Sequence, residues 1–590
     1  MLPDLLAADA LGVDLETAGD GKDAALDPRR GRIRLVQLAT REQTYVIDAF
    51  AVDVSALAPL FDGASGPPLV GHNLGFDLGF LHAAGLPIPP GDRLFDTMLA
   101  SQLLDGGRNL NTKVPDPCGG AQHGKPATVG YHTLAAVAHR VLGAALDKAH
   151  QTSDWSGELT HDQLGYAARD AAVLPPLRDA LDFALAEDGL ERVAALEFAA
   201  LPAVVWMEAT GVPLDVPAWT ALRDAAAVEL VAAEAELAAA LPGVKPDSPT
   251  QLIAALASLG VDVANVQEAT LSAVANRHPA VGLVLRRKLA KKKVATYGDG
   301  YLKHVRDDGR IHAGYRLIGA ASGRMACGSP NMQNIPRDPD YRRCVRPAPG
   351  RVLIKADYSQ IELRIAAAVS GDEAMLAAFR EGEDLHAKTA RAVLGHEPSK
   401  QDRQLAKALN FGLLYGMGAP RLRAYAQNDY GVALSEADAT RFRVTFFDTY
   451  AGLRRWHRSH PDGALDTRTL AGRLRRGVEN YTEKLNTPVQ GTGADMIKLA
   501  LGRLWADRAA APSAVPVLVV HDEIVLEVDA ADAEAAAAWI TAHMHAAGAE
   551  LLSDVPVAVE AEVVADWSGT PVASPEPPEP EPEPYVETTR

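Results

Sequence analysis

Val352-Leu353-Ile354-Lys355-Ala356-Asp357-Tyr358-Ser359-Gln360-Ile361-Glu362 is the stretch that decides the fold. Its apolar half reads as a buried strand that delivers a carboxylate, Asp357, at its end. A second carboxylate comes from His521-Asp522-Glu523, set between the apolar runs Val517-Leu518-Val519-Val520 and Ile524-Val525-Leu526, and this pattern predicts a hairpin. Between them lies Arg403-(x3)-Lys407-(x3)-Phe411-(x3)-Tyr415-Gly416, whose spacing puts Arg403 and Lys407 one helical turn apart on one face. Two carboxylates able to share a pair of divalent ions, facing a cationic helix, suit nucleotidyl transfer from a triphosphate. The ions would stabilise the attacking and leaving oxygens, and the cations would hold the leaving phosphates.

Further acids lie near the N-terminus. Val13-Asp14-Leu15-Glu16-Thr17 is strand-like, so Asp14 and Glu16 project from one face. Strands are predicted at 33–38 and 45–47, and Gly71-His72-Asn73-Leu74-Gly75-Phe76-Asp77 leads into a helix that carries a third acid. Thr160-His161-Asp162-Gln163 fits a capping box, and on the helix it opens Tyr166 and Asp170 share a face. Four carboxylates and a tyrosine suffice to bind two metals and orient a water for phosphodiester hydrolysis. Gly119-Gly120-Ala121-Gln122-His123-Gly124-Lys125-Pro126 nearly spells a phosphate-binding loop. It ends in proline rather than Ser or Thr and no apolar strand precedes it, so it reads as an insertion.

In this order and wording, the three C-terminal stretches resemble motifs A, B and C of the family A DNA polymerases. The N-terminal acids with Tyr166 resemble the three exonuclease motifs of the DEDD family, and the run from Lys148 to Trp155 adds to that likeness. Leu201-Pro202-Ala203-Val204-Val205-Trp206-Met207-Glu208, Ser322-Gly323-Arg324, Asn331-Met332-Gln333-Asn334, Asn486-Thr487-Pro488-Val489-Gln490 and Trp567 extend the resemblance over nearly the whole chain. It implies an α/β and α+β multidomain fold, a ribonuclease H-like 3′–5′ exonuclease domain followed by a right-hand polymerase. The expected divisions are exonuclease 1–195, thumb 196–310, first palm part 311–371, fingers 372–430, second palm part 431–567 and a disordered tail 568–590.

The resemblance also assigns roles. Asp357 and Asp522, with Tyr358 beside them and Glu523 close by, are expected to bind two Mg²⁺. Asp14, Glu16, Asp77 and Asp170, with Tyr166, are expected to bind two more, and Mn²⁺ could substitute. Arg403, Lys407 and His386 would hold the triphosphate. Glu362 would exclude a ribose 2′-hydroxyl, Gln360 would bind the nucleotide, Phe411 would face the incoming sugar, and Tyr415 would guard the template position. Arg324, Gln333, Asn334, Asn486, Gln490 and His521 would contact DNA. Donors at Arg324 and Gln490 fit minor-groove sensing, where A·T and T·A present the same acceptors.

A net charge of −18 argues against a nucleic-acid enzyme until its distribution is considered. Acid is concentrated in the Pro-rich run 575–581, which cannot pack, whereas Arg286-Arg287-Lys288, Lys291-Lys292-Lys293, Arg342-Arg343, Arg473 and Arg475-Arg476 are local basic clusters expected to meet phosphates. Three cysteines without CxxC spacing read as reduced thiols. No apolar run reaches membrane-spanning length and no basic leader opens the chain, so a monomeric cytoplasmic enzyme is expected. Its expected partners are primer-template DNA and deoxynucleoside triphosphates, without a membrane. No room is seen ahead of Asp14 for a 5′-nuclease domain, and the expected origin is phage-type. Two other readings stay open: a nuclease whose polymerase half only binds DNA, and a single-subunit RNA polymerase, which Glu362 tests.

Overall fold

The computed structural model describes residues 1–63, 66–118, 121–122, 125–147, 150 and 153–572. Half of the near phosphate loop (119–120 and 123–124), residues 148–149 and 151–152 ahead of Trp155, and the tail from 573 onward lie outside the described residues.

The first domain is built on a five-stranded sheet in the order Thr44–Asp48, Arg32–Ala39, Leu11–Ala18, Leu69–Gly71, Leu94–Asp96. The first three strands pair antiparallel and the last two join in parallel, which places the strand of Asp14 and Glu16 in the buried centre. Helix Leu74–Ala83 carries Asp77, and helix His161–Ala172 opens on the capping box formed by Thr160 and Gln163. The sequence pattern anticipates both.

Helix Glu191–Thr210 leads out of this domain into the rest of the chain. Its Ala199 backbone lies so close to both neighbours that a methyl group at Gly91 would come within 2.4 Å of Ala199 Cα, and one at Gly502 within 3.1 Å of its carbonyl oxygen. This helix is long and apolar enough to cross a membrane, contrary to the expectation that no run is. It is hydrophobic nearly all round because it is covered on both sides by protein.

The second sheet is antiparallel in the order Val515–Val520, Glu523–Asp529, Arg351–Tyr358, Val559–Val564. Helix Ala533–Leu551 packs on this sheet, and Thr492–Ala506 lies between it and Glu191–Thr210. Helices Leu385–Leu394, Lys400–Leu414, Ala419–Tyr430 and Glu436–Thr449 form a separate group, each packed on the next.

Several cations expected to face phosphates are used internally instead. On Pro279–Lys292, Arg286 bonds Glu229 and Glu236 at 2.5–2.8 Å, while Arg287 bonds Glu234 and Asp247. Lys291 also meets Asp247, at 2.7 Å. Arg473 is buried and bonds Glu197 and Asp495, and Lys498 joins the same Glu197 at 2.5 Å. Such a buried network tolerates no loss of one partner, since the remaining charge would be stranded in apolar surroundings. Arg476 is held by Asp188 at 2.6 Å. Cys327 and Cys344 are buried, with thiols that burial pushes up to about 11, and Cys118 is exposed.

Candidate functional site

Backbone register brings the acids of the second sheet together. Asp357 stands opposite Glu523 on one neighbouring strand and opposite Glu560 on the other. Asp522 occupies the two-residue turn between Val515–Val520 and Glu523–Asp529, where His521 adopts φ 58°. The Tyr358 N–H reaches the Asp522 carbonyl at 3.4 Å, which draws the turn onto the end of the strand. Burial first, then Asp522, Glu523 and Glu560, raise the Asp357 carboxyl well above the carboxylate range. Asp522 is raised too, by burial first and by Glu362 and Glu523. Glu523 is steered by the buried Trp567, whose Nε1 donates to it at 2.6 Å, and the Arg342 guanidinium lies 4.2 Å over that indole.

Tyr358 can contribute only through its backbone. Its ring is buried and its hydroxyl donates to the Met544 carbonyl at 2.7 Å.

The helix Lys400–Leu414 presents Arg403, Lys407 and Phe411 along one partly exposed stripe. Arg403 Nε donates to Asp384 at 2.5 Å. His386 lies near them on helix Leu385–Leu394. Its imidazole is buried, 2.8 Å from the Asn410 amide nitrogen and 5.8 Å from the Phe411 ring, and burial lowers it to about 4. Burial thus holds it neutral near pH 7.

Glu362, on helix Ile361–Ser370, accepts from Arg324 Nη2 at 2.9 Å and from the Tyr415 hydroxyl at 2.5 Å. Gln360 caps that helix at φ 52° with its Oε1 buried and unpartnered, and the buried Asn486 Oδ1 likewise has no partner. Gln333 Nε2 reaches the Val519 carbonyl at 3.3 Å, while Asn334 and His521 are exposed. Gln490 lies in the π-helical turn Thr487–Gly491, within reach of Tyr415.

In the first domain, Asp14 and Glu16 face Asp77, which is fully buried and raised far above its usual range by burial, then by Asp14 and Asp96. Burial, then Asp170 and Glu16, push the Tyr166 phenol up. These groups line a cavity of about 2180 Å³ between the first domain and residues 303–318. Among the described residues no three His, Cys, Asp or Glu side chains converge tightly enough to enclose an ion unaided. The crowded carboxylates nonetheless fit divalent ions, since a cation relieves the repulsion that raises Asp77 and Asp357, and substrate oxygens and water could complete the shell.

Sequence reasoning missed Glu560, the Trp567 bond to Glu523 and Asp96. Glu560 was visible only as one acid in a strand-like alternation, 559–564, whose register no local pattern sets. Asp96 before Thr97 was an unexploited helix-cap signal.

A model for "DNA polymerase family A" matches residues 218–569, and one for "3′-5′ exonuclease" matches residues 1–186. DNA polymerase I of Aquifex aeolicus is 36% identical, covering 95% of this chain and 96% of that protein. The Chloroflexus aurantiacus DNA polymerase I is 30% identical over 87% of this chain, and the thermostable enzyme of Thermus filiformis 37% over 61%. The chain spans about half the length of those two. A solved structure described as the POL domain of Pol1 from M. smegmatis in complex with DNA primer-template and dNTP superposes with a TM-score of 0.79 at 25% identity, covering 96% of this chain and 97% of that one. These relatives are bacterial, and none supports the phage-type origin expected from the sequence. The chain belongs to the family A DNA polymerases and carries a 3′–5′ exonuclease domain ahead of its polymerase domain.

Proposed function

We propose that this enzyme extends a DNA primer along a template at Asp357 and Asp522, and trims mispaired 3′ ends at Asp14, Glu16, Asp77 and Asp170. The observation that carries the reading is the register of Asp357 against Glu523 and Glu560, with Asp522 in the adjoining turn. Both kinds of domain generally depend on divalent metals. Two Mg²⁺ ions held by Asp357 and Asp522, and two by the N-terminal acids, would supply charge stabilisation at the attacking and leaving oxygens.

The chain's own residues bind and orient. Arg403 exchanges Asp384 for a phosphate oxygen, and Lys407 adds a second cation one turn away. His386 serves as a neutral N–H donor near that phosphate. Glu362, fixed by Tyr415 and Arg324, occupies the space a ribose 2′-hydroxyl would need. Gln360, Gln333, Asn334, Asn486, Gln490 and His521 meet the nucleotide and the duplex; the unpartnered oxygens of Gln360 and Asn486 support this. At the second site Tyr166 and Asp170 orient the attacking water. The enzyme works as a cytoplasmic monomer on primer-template DNA and deoxynucleoside triphosphates.

The test is a labelled primer-template with Mg²⁺, with and without deoxynucleotides, resolved on a sequencing gel. Extension with nucleotides and 3′ shortening without them are expected. Binding without extension would leave only the nuclease reading, and ribonucleotide extension would favour the RNA-polymerase reading.

A further inference from the structure

One short helix reaches from the excision site to the part of the palm that carries Arg324 and Gln490. Helix Thr97–Asp105 is capped by the buried Asp96, which accepts from the Met98 and Leu99 N–H groups at 2.8 and 3.1 Å. The same carboxylate accepts from the N–H groups of Asn73 and Leu74 at 3.2 and 2.8 Å. It thereby pins the start of the helix that carries Asp77.

Nine residues on, roughly 14 Å along the axis, the helix ends at Gly106 and Gly107, at φ 62° and 79°. This turn is seated in the palm. The Gly106 carbonyl accepts the Arg476 N–H at 3.0 Å, and Arg476 Nε donates to the Leu104 carbonyl at 3.3 Å. A methyl group at Gly107 would lie 2.9 Å from the Ala321 carbonyl oxygen, closer than van der Waals contact allows.

Ala321 begins the segment that ends at Arg324. On its other side, a methyl group at Gly491, the neighbour of Gln490, would lie 2.8 Å from the Ser322 carbonyl oxygen. Lys498 donates to the Gly323 carbonyl at 2.8 Å, and Arg475 donates to Thr487 at the start of the π-helical turn at 3.1 Å. The glycine turn, segment 321–324 and the turn Thr487–Gly491 therefore lie in series without slack. Close-packed elements pass a displacement on rather than absorb it.

We propose that the Gly106-Gly107 turn and Arg476 couple the two sites: a mispaired primer terminus that disturbs Arg324 or Gln490 moves helix Thr97–Asp105, shifts Asp77 and favours excision. Arg476 acts as a positioning residue and touches no substrate. The proposal rests on the reading of Arg324 and Gln490 as minor-groove sensors.

The experiment uses the full chain as wild type, Arg476→Ala, Gly107→Ala and, for the underlying reading, Gln490→Ala. Excision is timed on single-stranded DNA, on a matched primer-template and on a mismatched one; extension of the mismatched end is measured in parallel. Both coupling variants should degrade single strands at the wild-type rate, while their preference for mismatched over matched ends falls about fivefold or more. A wild-type preference in both variants, alongside altered mismatch extension by Gln490→Ala, overturns the coupling alone. Equal losses on single-stranded and mismatched DNA also overturn it, because the contact then only supports the domain. Unaltered mismatch extension by Gln490→Ala overturns the sensor reading and the coupling with it.

Discussion

In the second sheet, the proposed palm, three acids lie side by side because they occupy matched positions on three neighbouring strands, Glu523, Asp357 and Glu560. In the first domain only Asp14 and Glu16 share a strand, whereas Asp77 and Asp170 arrive on two separate helices. The first site is set by a hydrogen-bond ladder that each strand repeats along its length. The second is set by how two helices are capped and packed, Asp96 for one and Thr160 with Gln163 for the other. A ladder holds its geometry against a single remote substitution, whereas a cap is one side chain.

The largest effects separate the two chemistries. Asp357→Asn or Asp522→Asn should lower primer extension by about a thousandfold or more, since each removes a charge from the site that stabilises the transition state. Excision should persist. Asp14→Ala with Glu16→Ala should do the reverse, and near-normal extension by either palm variant would end the assignment.

A second test asks whether the ladder and the cap differ in robustness. Asp96→Ala removes a buried acceptor of four N–H groups, with a cost of about 1–2 kcal/mol where it caps. Excision should fall roughly tenfold with extension unchanged. Glu560→Gln, which leaves the palm ladder intact, should change extension by less than about threefold. Equal losses in the two variants would erase the distinction.

The sequence made the ladder easier to read than the packing. Apolar strands ending in Asp357 and flanking Asp522 announce the palm by local pattern, and the capping box at Thr160 announces the Asp170 helix. What stayed hidden depends on distant pairing. Glu560 meets Asp357 only through strand order, and Trp567 meets Glu523 only because Trp567 is anchored by its N–H to the Val345 carbonyl at 3.0 Å. The basic clusters misled for the same reason: Arg286, Arg287 and Arg473 look like phosphate ligands until the facing glutamates and aspartates are placed. Burial of His386 was equally invisible, because it depends on the packing of helix Leu385–Leu394 against Lys400–Leu414, which brings Asn410 to the imidazole.

Smaller effects concern the nucleotide. Phe411 lacks a polar group to replace the 3′-hydroxyl contact that a dideoxynucleotide loses, and a tyrosine hydroxyl could reach that space. Wild type should terminate poorly with dideoxynucleotides, and Phe411→Tyr at least about tenfold more readily. Equal band patterns at a fixed dideoxy-to-deoxy ratio would remove Phe411 from the sugar. Glu362→Ala should raise ribonucleotide incorporation by a smaller factor, and because it also frees Arg324 and Tyr415, mismatch extension should change with it.

The smallest effect lies at the junction of the two regions. The Glu208 backbone carbonyl accepts from Arg29 of the first domain at 2.6 Å, while its half-buried carboxylate accepts the Tyr315 N–H of the second part of the chain. Burial raises this carboxyl to about 7, only partly offset by Tyr315 and Arg29. A carboxyl held more tightly by its proton in the folded state destabilises the fold as pH rises. Below about pH 4.5 both folded and unfolded chains are protonated and no penalty exists. Between there and pH 7 the unfolded chain loses its proton first, so stability falls, and above pH 7 the full penalty, on the order of 3 kcal/mol, is present. Glutamine keeps the acceptor for Tyr315 and never ionises. Glu208→Gln should therefore leave the melting temperature nearly unchanged at pH 5 and raise it by roughly 2–5 °C at pH 8. A gain of equal size at both pH values would mean that packing, and not the buried charge, sets the cost of this junction.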